Sequence, residues 1–195
     1  MEIILPDGSK KILEEGATVY DVAASIGTSL AKAALAGKIN GELVDVTAQV
    51  TDGATIEIIT NKSPEALSIM RHSCAHIMAE AVQELFPGAQ IAFGPATDNG
   101  YFYDFELPEN ISSDHFAAIE KKMAQIVKRN EPFVREVVSV EEAKEIFADQ
   151  RFKLEHIDDL TEGEISVYRH GSFVDLCAGP HIPSAGKIGA FKMMK

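Results

Sequence analysis

Tryptophan is absent from these 195 residues, cysteine occurs only twice, histidine six times, and 18 basic side chains face 30 acidic ones, a net charge of −12. The charge balance and the cysteine count each remove a class of function. So acidic a chain lacks the general means of gripping a nucleic-acid backbone, because sequence-independent affinity comes from Lys and Arg displacing counterions. If RNA is its substrate, something else must hold most of it. Two cysteines cannot build a disulfide framework, and Cys74 falls among apolar residues of helical spacing, so no bridge to Cys177 is expected. No apolar run reaches the roughly eighteen residues of a membrane span. The start, MEIILPDG, lacks the basic and apolar stretches of a signal peptide. A cytoplasmic protein with no membrane partner is expected. What remains, 46% hydrophobic and 25% charged residues, is ordinary globular composition.

Turn residues divide the chain into two. Residues 1–61 read as a small α+β unit: strands at 2–5 and 10–13 about Pro6-Asp7-Gly8-Ser9, a helix capped by Thr18 and ending near Gly27, and a helical piece at 30–35. Two strands follow about Asn40-Gly41, and an apolar run at 55–60 suits a central strand. Ser63-Pro64 marks the boundary, with Ser63 as cap and Pro64 at the first helical position.

From there to 195 the pattern is again α+β, an antiparallel sheet against a long helix. That helix carries a stripe of Leu67, Met70, Cys74, Ile77, Met78, Ala81, Val82 and Leu85, with His72 and His76 on the opposite side. Strands at 90–93 and 101–105 flank a turn at 94–100, and a second helix spans 113–128. A strand at 133–138 leads to a short helix opened by a Ser139–Glu142 capping box, and a last hairpin pairs 164–168 with 172–176.

Chemistry gathers at two short stretches about a hundred residues apart, RHSCAH at 71–76 and DLCAGPH at 175–181. Four residues are one helical turn, so His72 and His76 point the same way. Gly179 and Pro180 forbid a helix at the second stretch, so Cys177 and His181 come from a strand end and the loop after it. Period-two alternation puts Asp175 beside Cys177 and Phe173 on one face. Three chemistries are open to His72, His76, Cys177 and His181: a zinc site, which spacing alone slightly favours; a histidine-activated thiol nucleophile; and metal-free hydrolysis by an activated water. No HExxH occurs, and Gly179 to Lys187 does not have P-loop spacing.

Two resemblances narrow the choice. LPDGS, DVA and LAKAALAGKINGELVD resemble a TGS domain, the ubiquitin-like β-grasp module named for threonyl-tRNA synthetases, certain GTPases and alarmone enzymes. RHSCAHIMAEAVQELFP, FGPATDNGYFYDF and FVDLCAGPH resemble the editing domain that follows it in bacterial threonyl-tRNA synthetases. Together they span the chain and imply domains at 1–61 and 64–195. The implied activity is hydrolysis of seryl-tRNA(Thr), with the serine-bearing acceptor end of tRNA(Thr) as partner.

The resemblance implies that His72 and Lys153 orient or activate water and that Asp175 holds the seryl amine. It puts Tyr103 and His181 at the terminal ribose, with His76 and Cys177 completing the signature; Tyr168, nine residues before Cys177, is a weaker pocket candidate. It also implies no metal, although His72, His76, Cys177 and His181 are a zinc-type set. Ala178 stands where many relatives have Arg, which removes a cationic contact to the acceptor end. The ATP, magnesium and zinc of threonine ligation belong to a catalytic core for which no segment follows Lys195. The chain is therefore expected to be an N-terminal fragment, monomeric where the whole enzyme is a homodimer. The competing expectation is a non-catalytic module binding RNA or ribosomes through its TGS part.

Overall fold

Turn chemistry sets the first unit. In the computed structural model, which describes residues 1–108, 111–160 and 165–194, this unit comprises Met1–Met70 with Gly179–Pro183. Strands β1 (Glu2–Ile4) and β2 (Lys10–Ile12) pair antiparallel across a turn in which Asp7 accepts from both the Ser9 amide and its hydroxyl. Thr18 and Asp21 form a capping box that starts α1 (Val19–Ile26), satisfying amides that the first turn leaves without partners. After α2 (Thr28–Ala33) come β3 (Ala34–Ile39), β4 (Glu42–Val44) and β5 (Ile56–Thr60), in the antiparallel order β4-β3-β5. The β3–β4 turn has positive φ at both Asn40 and Gly41, the conformation whose twist matches a two-residue hairpin.

Helix α1 lies on β3 where Gly37 leaves room: a Cβ there would stand 2.4 Å from Val19 Cγ1. Ile3, Val19, Val22, Val50, Ala54 and Ile56 make the core. The middle strand is thus β3, which buries residues 34–37 in succession, and not β5 as the apolar run at 55–60 suggests. The second helical piece ends at Ala33, earlier than expected, because Leu35 is already in that strand.

The second unit comprises Arg71–Ala178 with Ser184–Lys195. Its spine is the part of α3 (Ala66–Leu85) from Arg71 onward, whose residues 73–82 are all buried, polar Ser73, His76 and Glu80 included. An apolar stripe is therefore the wrong description of this helix: Leu67 is exposed, and over residues 73–82 the helix is enclosed on every side. Nor does Ser63 cap it, since its hydroxyl accepts from the Thr60 amide.

Beyond α3, β6 (Gln90–Ile91) pairs with β9 (Phe105–Glu106), and inside that loop β7 (Ala96–Thr97) pairs with β8 (Gly100–Tyr101), so the single hairpin expected here is two short ladders. Helix α4 (Ser113–Arg129) turns Ile119, Met123 and Ile126 inward and ends on Asn130 in the left-handed conformation. Strand β10 (Phe133–Val138) precedes α5 (Val140–Ile146), opened by the expected Ser139–Glu142 box, and α6 (Arg151–Asp159), an element beyond those the sequence pattern signals. Strands β11 (Ile165–His170) and β12 (Phe173–Leu176) complete an antiparallel sheet of order β10-β11-β12. Glu164, expected to open that hairpin, lies outside the described residues.

The register divides this sheet by faces. Ile165, Val167 and Leu176 join Ala143, Phe147 and Ile157 in a core on one side. Alternation sends Phe133, Tyr168, His170, Phe173 and Asp175 to the other.

Candidate functional site

Within the second unit, the helix face and the hairpin end meet. On α3, the His72 and His76 rings sit edge to face with centroids 5.1 Å apart, as one helical turn dictates. Beyond β12, the Cys177 Sγ lies 3.3 Å from His72 Nε2, a hydrogen-bonding contact whose direction follows the imidazole tautomer. Two residues earlier on the same strand face, Asp175 Oδ2 lies 3.5 Å from His76 Nε2. Cys177 is itself held to β11: its amide donates to the Ser166 carbonyl at 3.2 Å, and the Ser166 hydroxyl donates to its carbonyl at 2.6 Å.

Asp175 is heavily engaged. Tyr103 Oη donates to its Oδ2 at 2.5 Å, and Lys153 Nζ pairs with its Oδ1 at 2.7 Å. Lys153, fully buried on the unanticipated α6, also donates to the Ala92 carbonyl and, at 3.2 Å, to Tyr103 Oη. Its Nζ lies 4.3 Å from the centre of the Phe93 ring. A buried lysine and carboxylate hold together only when such partners replace the water both have lost. A surface lysine, the plain reading of its sequence position, is thereby excluded.

Electrostatics separate the two imidazoles. Burial drives the His76 pKa from 6.5 down to about 4; the Asp175 charge opposes the fall, and His72, Lys153 and His170 add to it. His76 is therefore neutral at physiological pH, while half-buried His72 keeps access to solvent. Burial, then the neighbouring Asp175 charge, pushes the Tyr103 hydroxyl far above the usual tyrosine range, so it stays a donor. Cys74, buried against Tyr101, has its thiol pushed up to about 11 by burial, and neither cysteine is in a disulfide.

Of the residues singled out from sequence, His72, His76, Tyr103, Lys153, Asp175 and Cys177 come together in this unit. Tyr168, buried on β11, stands directly across the strand pair from Asp175. His181 is in the Gly179–Pro183 segment, which belongs with the first unit; its amide donates to Asp45 Oδ1 at 2.9 Å. The Ala92 carbonyl, which has no side-chain signature, and the Phe93 ring beside Lys153 carry no signal in the sequence. His72, His76 and Cys177 bring ligand-type atoms within 4.8 Å of one another, a donor set whose chemistry suits zinc as well as hydrolysis.

Comparison with known proteins defines the class. Residues 1–60 match the TGS domain, and residues 165–195, which include the Asp175 and Cys177 strand, match the Threonyl and Alanyl tRNA synthetase second additional domain. The chain therefore joins a TGS domain to a synthetase additional domain in an α+β architecture. Over its whole length it is homologous to threonine–tRNA ligases: 47% identical over 196 residues to that of Pelobacter propionicus, 48% over 198 to that of Burkholderia multivorans and 48% over 196 to that of Polynucleobacter asymbioticus. These alignments cover 99 to 100% of the chain and 31% of each relative, so the chain spans about a third of their length.

Proposed function

We propose that the chain is a proofreading region, bounded as a TGS domain at 1–61 and an editing domain at 64–195, that hydrolyses seryl-tRNA(Thr) with an activated water. The observation that carries this reading is the meeting of the His72 and His76 helix face with the Asp175–Cys177 strand end, around a buried Lys153–Asp175–Tyr103 group. The reading needs such a site: serine lacks one methyl of threonine, and one methylene is worth only about 1–3 kcal/mol in a binding pocket, so a threonine-activating site cannot exclude the smaller amino acid. A second, tighter pocket removes the product.

In this mechanism His72, the solvent-reaching imidazole, takes a proton from water as it attacks the ester carbonyl. The ribose oxygen then leaves with the proton that His72 took up. His76, neutral, orients the His72 ring. Lys153, already facing three acceptors, holds Asp175 in place and screens the developing oxyanion rather than activating water itself. Asp175 retains lone-pair capacity for the seryl amine, since a carboxylate offers about four acceptor positions. Tyr103 contacts the terminal ribose, and Tyr168 backs the pocket. No metal takes part, the partner is the acceptor end of tRNA(Thr), and the compartment is the cytoplasm. Ligation of threonine with ATP belongs to the whole protein of which this would be one part.

The 3.3 Å approach of Cys177 to His72 favours one rival, in which the thiolate attacks the ester, expels the ribose oxygen and forms a thioester that water then cleaves. Deacylation of seryl-tRNA(Thr) separates them. The water mechanism predicts that His72→Ala and Lys153→Ala lose at least about a hundredfold while Cys177→Ala keeps partial activity. Abolition by Cys177→Ala selects the thiol. No serine release, or equal release by wild type and both alanine variants, removes the enzyme and leaves a binding module.

A further inference from the structure

Three polar pairs between α3 and the last hairpin are spaced as a ladder. His72, His76 and Glu80 occupy positions i, i+4 and i+8, about 6 Å apart along the helix. Their partners descend the hairpin in step: Cys177, then Asp175, then His170, which sits opposite Phe173 in the strand register. Two strand residues advance about 6.7 Å, so four-residue steps on the helix stay matched to two-residue steps on the strand. The first two rungs belong to the site described above. The third, His170 Nδ1 to Glu80 Oε2 at 2.6 Å, is the shortest of the three and serves no step of the chemistry.

Both members of this rung are nearly inaccessible, and a buried carboxylate persists only where partners replace its water. Arg129, at the end of α4, holds the other Glu80 oxygen at 2.7 Å and also binds Glu84 at 2.8 Å. Glu80, Glu131 and His170 are metal-ligand types with atoms within 4.8 Å of one another, but the Arg129 guanidinium, 3.6 Å from Glu131 as well, already supplies the cation there. The His170 ring packs at 4.6 Å on Phe133, and across the hairpin Phe173 meets His76 edge on at 6.2 Å, which ties the rung to the reacting imidazoles through packed rings.

We propose that Glu80 and His170 are positioning residues, a buried rung that sets the register of α3 on the β11–β12 hairpin and so holds His72 against Cys177 and His76 against Asp175. The proposal rests on the proofreading reading, and its test is read in two ways so that the two fail separately. In the intact chain, Glu80→Gln keeps the shape but weakens a charge-assisted bond. A slip of about 1 Å at a reacting pair costs on the order of a hundredfold. Glu80→Gln is therefore expected to lower kcat for seryl-tRNA(Thr) ten- to a hundredfold with KM within twofold, and to change the iodoacetamide alkylation rate of Cys177 at least fivefold. Arg129→Gln, which removes the other partner of the same carboxylate, is the control: its Tm falls while kcat and alkylation stay at wild-type values. If Glu80→Gln does not fold, His170→Phe, which keeps the ring on Phe133 and deletes the bond, is read identically. Unchanged kcat and alkylation in a folded rung variant overturn the proposal, as does a fall in Tm alone. If the wild type releases no serine, the proofreading reading fails, and the alkylation rates alone decide whether the rung sets register.

Discussion

Residues of one type behave differently here because their surroundings differ. Cys74 and Cys177 are both thiols, yet burial raises Cys74 to about 11 whereas Cys177 is half-buried beside an imidazole. The thiolate is the reactive form, so alkylation at pH 8 is expected to modify one cysteine, and Cys177→Ala to abolish it; mass spectrometry showing Cys74 modified in the folded chain contradicts this. His76 sets a pH limit. Its folded-state pKa of about 4 lies below the ordinary 6.5, so its contribution to stability is present above pH 6.5 and is lost as pH falls through about 4. Urea unfolding at several pH values is expected to show a steeper loss between 6.5 and 4 in the wild type than in His76→Gln; parallel slopes contradict it. Lys153 and Asp175 depend on each other: Lys153→Met is expected to cost about 3–5 kcal/mol, and adding Asp175→Asn to recover much of it, because the cost lies in the stranded partner.

At the level of elements, the local chemistry was legible and the enclosure was not. The Thr18 cap, the Asn40-Gly41 turn, the Ser139–Glu142 box and strand β10 follow from side chains acting on their own backbone, which needs no tertiary knowledge. The paired histidines and the Asp175–Cys177 strand face were legible for the same reason, as helix and strand periods. Helix α6 was hidden because Phe152, Leu154 and Ile157 give too sparse a stripe, and with it went the burial of Lys153. Helix α3 was misjudged because a helix enclosed on every side buries its polar residues too, and periodicity cannot tell that from two faces. Spacing did contain a further signal, Glu80 one turn past His76, but only the hairpin register gives it a partner. Close element packing carries its own prediction. Gly37→Ala, whose Cβ would press on Val19, is expected to lose about 1–3 kcal/mol, and Val19→Ala to recover part of it; an unchanged urea midpoint for Gly37→Ala contradicts the close crossing.

For the whole molecule, charge and composition bear on partners. With 30 acidic against 18 basic residues, the chain is expected to bind tRNA(Thr) more weakly than about 10 μM at physiological salt; submicromolar binding in fluorescence anisotropy contradicts this. No helix among the described residues is long and apolar enough to cross a membrane. The His72, His76 and Cys177 set makes metal content a direct question: chelator-free protein is expected to carry less than about 0.1 equivalent of zinc by elemental analysis, and one equivalent reassigns those residues as ligands. The central proposal is that the group of side chains at the α3 face and the β12 end distinguishes a hydroxymethyl group from one bearing an extra methyl. It is tested most directly by the ratio of deacylation rates for seryl-tRNA(Thr) and threonyl-tRNA(Thr) under single turnover. The account predicts that serine is released at least about a hundredfold faster; equal rates, or faster loss of threonine, contradict it.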